Sequence, residues 1–251
     1  MKTLTTPADS IPASQERSWK FRLPKRLLKS LMAITLALTT LLLVSHLAWN
    51  RSGSNQWELA MDEDGIKVWT LKAPGSSLVK VKAQTRIKSQ LAGMVKLLED
   101  LDSCVDAECY DAKVLQTIET PPGRYAAYVR FKYDIPGFQT QDFVLLQEHV
   151  QDPRDTRLEI NLLAAPSRIP ADECCARVTH LHNNWKLKPL DNGELDVEFM
   201  QDTDMVGMPY FLVNFALRAG TFEVLKQLPS LMDMEKYRTA KAAGIHEWSS
   251  N

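Results

Sequence analysis

Several signatures of chemistry are missing from this 251-residue chain. Its four cysteines, Cys104, Cys109, Cys174 and Cys175, make no Cys-x-x-Cys pair, which argues against a zinc ribbon or a thioredoxin-type motif. There is no Gly-x-Ser-x-Gly elbow and no His-Glu-x-x-His. A glycine-rich phosphate loop is also missing, and the whole chain holds 10 glycines. Neither sign of charge dominates: 30 Lys+Arg face 31 Asp+Glu, a net charge of −1. Nucleic-acid binding wants a basic footprint, so no nucleic-acid partner is expected. No internal repeat is visible. What remains, 45% hydrophobic and 24% charged residues, is ordinary globular composition, with length for one or two domains.

The balance of charge hides a division. Residues 1–29 carry seven cations and two acids, so they are net +5, while the remainder is net −6. Between them lies Ser30–Trp49, twenty residues without a formal charge. As a helix this run spans about 30 Å, the thickness of a hydrocarbon core. Trp49 stands where an interfacial aromatic belongs. A buried core helix is the bland alternative, although so long an uncharged run is rare inside a soluble domain. A cleaved signal peptide is the other, but its basic region would be long and His46/Ala48 is a poor cleavage pair. The run therefore reads as a transmembrane anchor at 30–49 behind a basic cytoplasmic segment at 1–29. The rest of the chain is then outside the cytoplasm, periplasmic if the source is bacterial. In an exported domain the cysteines can oxidise, and a bridge between the 104/109 pair and the 174/175 pair is open.

After a polar linker at 50–56, alternation of period two dominates, the mark of half-buried antiparallel strands. Val79, Val81 and Ala83 share one face. So do Ala127, Val129, Phe131 and Tyr133; Leu158, Ile160 and Leu162; and Leu195, Val197 and Phe199. Thr179, Leu181, Trp185 and Leu187 form a less regular set. Asp64-Gly65 and Asp191-Asn192-Gly193 read as turns. Two stretches break this rhythm. Residues 89–101 place Leu91, Met94, Val95, Leu98 and Leu101 on a helical stripe, with Ser89 as the cap. Residues 208–232 open with Pro209 and predict a long helix with Leu212, Phe215, Ala216, Ala219 and Phe222 inward, ended or kinked at Pro229. Residues 234–251 read as a polar, fraying tail. The elements imply an α+β domain: one antiparallel sheet with an apolar face, covered by one long C-terminal helix.

Four strings carry a resemblance over residues 57–233. They are WELAMDEDGIKVWT at 57–70, YDIPGFQTQDFVLL at 133–146, NNWKLKPL at 183–190 and GMPYFLVNFAL at 207–217. In order and spacing the chain resembles the START (StAR-related lipid transfer) domains. The family's Arg before Asp142 is Gln141 here, which puts a buried Arg–Asp pair in question unless Arg130 or Arg168 substitutes. The family's Trp ahead of the fourth strand is also absent from 104–115.

The resemblance implies a helix-grip fold, a curved sheet wrapped around the last helix with a tunnel between them for one lipid or sterol-like ligand. The implied lipid-binding residues are Val129, Phe131, Phe143, Ile160, Leu162, Trp185, Val197, Phe199, Phe211, Leu212 and Phe215. The implied partners are a hydrophobic ligand and the membrane, with no cofactor. Met205, Met208, Met232 and Met234 are either adaptable ligand contacts or ordinary core. Gly207 and Gly220 would let the last helix swing, with Phe211, Leu212 and Phe215 meeting the bilayer. No catalytic or metal site is expected. Asp142 reads as a buried acceptor rather than an acid/base, and His180, His182 and His149 as ordinary strand residues rather than metal ligands. A helix-grip enzyme, a cyclase or hydrolase acting on an apolar substrate, is the alternative.

Overall fold

The computed structural model describes residues 24–121, 123–152, 154 and 156–248. The basic segment therefore lies outside the described residues up to residue 23. The chain forms two compact units, Met1–Leu47 and Ala48–Asn251.

Helix α1, Lys25–Arg51, is apolar and exposed along its first unit. Its hydroxyls are turned back on its own carbonyls, Ser30 on Arg26, Thr35 on Leu31 and Thr40 on Leu36. That satisfies each donor without water, as a lipid-facing helix requires. By length and composition it is able to cross a membrane.

The second unit is built on a ten-stranded sheet. Strands β1 (Trp57–Glu63), β2 (Ile66–Lys72) and β3 (Val79–Lys88) come first. Then follow α2 (Leu91–Glu99) and a 3-10 turn (Leu101–Ala107). Strands β4 (Tyr110–Ile118), β5 (Arg124–Tyr133), β6 (Gln141–Gln151), β7 (Leu158–Ala164), β8 (Ala176–Arg177), β9 (Leu181–Pro189) and β10 (Glu194–Thr203) precede α3 (Tyr210–Asp233) and the short α4 (Glu235–Arg238). The sheet order is β1-β2-β3-β10-β9-β7-β6-β5-β4, with β8 pairing parallel to β6 and every other pair antiparallel. Asp64 and Gly65 both take positive φ (53° and 75°), the twist that a two-residue hairpin needs between β1 and β2. The alternation read from the sequence places the sheet's inward residues correctly on β3, β7 and β10. Thr179 is the exception: it is exposed and precedes β9.

Helix α3 packs on β2, β3 and β10. Its inward stripe is Val213, Leu217, Thr221, Leu225, Leu228 and Met232, with Phe222 beside it. This corrects the expected stripe, since Phe215 and Ala216 are exposed. Asn214 sets the rotation: its Oδ1 accepts from Val79 N at 3.0 Å and its Nδ2 donates to Ser77 O at 3.0 Å. The helix also continues past Pro229 to Asp233 rather than stopping there.

Among the described residues of the tail, 234–248, the expected fraying is not seen. Tyr237 is 1% exposed, and its hydroxyl bonds Asp106. Glu247, not Ser89, caps α2, its carboxylate accepting from Leu91 N at 3.0 Å and Ala92 N at 2.7 Å. Gly93 is required at the same junction, because a Cβ there would stand 2.9 Å from the Tyr237 carbonyl. Residues 50–56 are likewise held down. Gly75 N donates to Asn50 O and Asn55 N to Lys72 O, and the backbone at Gly53 leaves no room for a Cβ against Lys72.

Candidate ligand-binding face

Strand alternation divides the residues of β5–β10 between an inward and an outward face. On the inward face the apolar side chains fall into two clusters. One joins Ile160, Trp185, Val197 and Phe199 to α3 through Val213, Leu217 and Leu225. There Trp185 and Phe199 stack at 3.8 Å between ring centroids. The other gathers Ala127, Val129, Phe143, Leu145, Val178 and Leu181, with Phe131, Tyr133, Ala164 and Met205 half-buried around it. Its Phe131 and Phe143 stack at 5.0 Å. Leu162 touches both clusters.

A polar row runs between them. Gln147, Leu162, Asn183 and Gln201 are cross-strand neighbours in successive pairs. Gln147 Nε2 donates to Leu98 O at 2.8 Å, Gln201 Nε2 to Thr221 Oγ1 at 3.1 Å, and Asn183 Oδ1 accepts from Thr203 Oγ1 at 3.2 Å. At one end of the face His149 Nδ1 lies 2.5 Å from Glu99 Oε1, and the ring stacks on Tyr125. At the other end stands Gln141, fully buried. Its Nε2 donates to Gln139 O at 2.8 Å and Val206 O at 3.2 Å, while its Oε1 accepts from no donor among the described residues.

The sequence-expected residues divide the same way. Ile160, Trp185, Val197 and Phe199 lie in the α3 cluster; Val129, Phe131 and Phe143 lie in the other. Phe211 and Phe215 are 60% and 62% exposed, so they do not line the space between sheet and helix, and Leu212 is half-buried. The polar row was missed at sequence level, although polar residues on the inward phase of apolar strands were its signal.

The outward face carries the charge. Asp142, fully buried, accepts from Arg130 Nε at 2.7 Å and Nη2 at 3.1 Å and from Arg177 Nε at 3.0 Å. Arg130 thus substitutes for the Arg that Gln141 replaces, and Arg177 joins it unforeseen. Arg177 also donates to the carbonyls of Pro166, Ile169 and Pro170, closing the segment after β7 over the pair. Burial pushes the Asp142 carboxyl up, but the two guanidinium hydrogen bonds outweigh it and hold the group below its usual range. Arg168 instead lies over the Tyr128 ring. The cysteines pair locally, Cys104 with Cys109 and Cys174 with Cys175, not across the two pairs as the sequence left open. Asp172 lies beside Cys174 and Cys175, whose sulfurs are spent on each other and offer a metal nothing. His180 faces Asp202 and His149 faces Glu99, so they do not converge on one site. A recess of about 820 Å³ near Gly123 and Gly244 is open and lined by charges of both signs, among them Arg124, Asp152, Arg157 and Lys186. It suits an apolar ligand less than the inward face does.

No family model matches the chain. An uncharacterised protein of Pseudomonas aeruginosa is 30% identical over 181 residues, 70% of this chain and 87% of that protein. A STAR-related lipid transfer protein fragment from Xanthomonas axonopodis superimposes with a TM-score of 0.61 at 24% identity, covering 69% of this chain and 97% of that one. Human StAR-related lipid transfer protein 5 superimposes with a TM-score of 0.60 at 15% identity, covering 79% and 96%. The chain belongs to the family of the Pseudomonas protein, and its fold is the START helix-grip fold. Within that START frame the departure at Gln141 has a structural consequence. The residue ahead of Asp142 faces inward as a neutral amide, and the ion pair is rebuilt on the outward face from Arg130 and Arg177.

Proposed function

We propose that the domain binds one lipid-like apolar molecule on the β5–β7 half of its inward face, beside α3. It works at the membrane that carries α1. The observation that carries this reading is the unequal cover of the sheet. Helix α3 packs on β2, β3 and β10, while Phe131, Tyr133, Leu162 and Ala164 remain half-buried. A half-covered apolar surface is stabilised by taking up apolar area, at about 25 cal/mol per Å² removed from water. The solved neighbours named as lipid transfer proteins support the same ligand class. The role put forward is binding; among the described residues the ionisable pair that the inward face brings together is His149 with Glu99.

Membrane placement rests on aromatics. Trp49 closes the apolar run, stacks on Tyr210 at 6.3 Å and donates from Nε1 to Ser77 O at 2.9 Å. Phe211 and Phe215, exposed on the first turns of α3, continue this group. Such a cluster suits the interface of a bilayer. We place the basic segment on the cytoplasmic side and the START-type domain on the other. Because residues 50–56 are pinned to β2 and the loop after it, the domain works next to its own bilayer.

The test is native mass spectrometry of the purified full chain released from vesicles of a mixed lipid extract. The expected result is a population carrying one lipid. Only ligand-free protein across a broad lipid panel contradicts the reading.

A further inference from the structure

The inward face of β5, β6, β7, β9 and β10 offers no lysine or arginine at any position of its phase. Its one ionisable pair, His149 with Glu99, is already closed on itself. The arginines of the region, Arg130 and Arg177, point the other way and are spent on Asp142. An anionic head group on this face would therefore be desolvated without a counter-charge, which costs far more than burying a neutral one.

A neutral head group does find a partner. Gln141 shares the inward phase with Phe143 and Leu145, next to Tyr133 on β5. Two carbonyls, Gln139 and Val206, fix its Nε2, so the orientation of the amide is settled and the atom turned away from both is Oε1. That oxygen is, among the described residues, the one buried side-chain polar atom without a hydrogen bond. Folding around an unmade buried acceptor is costly, and such a group calls for a cause. Its cross-strand partner Tyr133, and Met205 beside the Val206 carbonyl, are half-buried.

We propose that Gln141 Oε1 is the polar anchor of the ligand: it accepts a hydrogen bond from a neutral donor head group, a hydroxyl or amide, and selects lipids that carry such a donor. The inference rests on the lipid-binding reading above and narrows its ligand class to uncharged, donor-bearing lipids. The donor end of the same amide, through Val206 O, holds the Met205–Met208 turn against the sheet, so head-group recognition and the turn that leads into α3 meet at one side chain.

The test uses the full chain in phosphatidylcholine nanodiscs doped equally with 1,2-dioleoylglycerol and its 3-O-methyl ether, which differ by the donor alone. Native mass spectrometry reads the ratio of alcohol-bound to ether-bound protein. In Gln141→Leu this ratio should fall about fivefold relative to wild type, the size of one net hydrogen bond. Glu148→Gln, on the outward face of the same strand, should leave the ratio unchanged. Gln141→Met repeats the experiment if the leucine variant does not fold. Equal ratios in wild type and the Gln141 variant overturn the anchor alone. A wild-type chain that retains neither lipid also overturns the anchor, while the lipid-binding reading is decided by the broad lipid panel above.

Discussion

The two halves of the inward face are made of similar side chains and do different things. Over β2, β3 and β10 the sheet meets α3 directly, and Val81, Val197, Phe199, Leu225 and Leu228 are buried together. Over β5–β7 the same alternation continues, yet Phe131, Tyr133 and Ala164 stay half-buried, and three amides, Gln147, Asn183 and Gln201, lie between the two clusters around the bridging Leu162. One half is packed under α3; the other buries Val129, Phe143 and Leu145 but leaves the apolar residues around them half-covered. The difference teaches that apolar phase alone does not distinguish core from site. The polar residues set into the phase do, because each must be satisfied where it stands.

The comparison is sharpened first by the outward brace behind the open half. Asp142→Asn removes the carboxylate that Arg130 and Arg177 share and leaves Arg130 with Asp172 alone, 3.1 Å away, and we expect a loss of about 3–5 kcal/mol by denaturant unfolding. This term depends on pH with a defined sign. The folded carboxyl lies below its ordinary value of 3.8, so its stabilisation is complete above that pH and disappears as the pH falls through the lower folded value. The stability gap between wild type and Asp142→Asn should therefore be constant from pH 7 to about 5 and close below pH 4. A gap that does not close would remove the ion pair as its cause.

Next comes the packed half. Leu225→Ala should cost about 2–5 kcal/mol, the usual range for a buried leucine, while lipid occupancy in the folded fraction stays unchanged. Phe131→Ala should do the reverse. Its half-buried ring should cost less stability, about 1–2 kcal/mol by the area it buries, and lipid occupancy should drop. If Leu225→Ala and Phe131→Ala affect occupancy equally, the division into core and site fails. The smallest effect belongs to the C-terminal closure: Glu247→Gln removes a charged cap from α2 and should cost about 0.5–2 kcal/mol, read as a shift in thermal midpoint.

Much of this architecture was legible because strands write their burial with period two. On β3, β7 and β10 the inward residues follow directly from alternation. The rotation of α3 was not legible. Its sequence carries two apolar stripes, one through Phe211 and Phe215 and one through Val213, Leu217 and Leu225, and the choice is made by Asn214 bonding β3 and the segment before it, far away in sequence. The tail hid its role for the same reason, since Tyr237 and Glu247 find their partners in Asp106 and the start of α2. Gln141 showed in the sequence only as a departure from the family string. That its acceptor is buried and unmet required the packing of Val206 against it.

The central claim is that the β5–β7 half of the inward face holds the lipid. The most direct measurement is photocrosslinking of the full chain in vesicles that contain a dioleoylglycerol analogue with a diazirine in one acyl chain, followed by peptide mapping of the adducts. The account predicts adducts on Arg124–Tyr133, Gln141–Gln151 and Leu158–Ala164, reduced by excess unlabelled dioleoylglycerol. Adducts confined to α1 and the exposed Phe211 and Phe215, with none on those three strands, would contradict it.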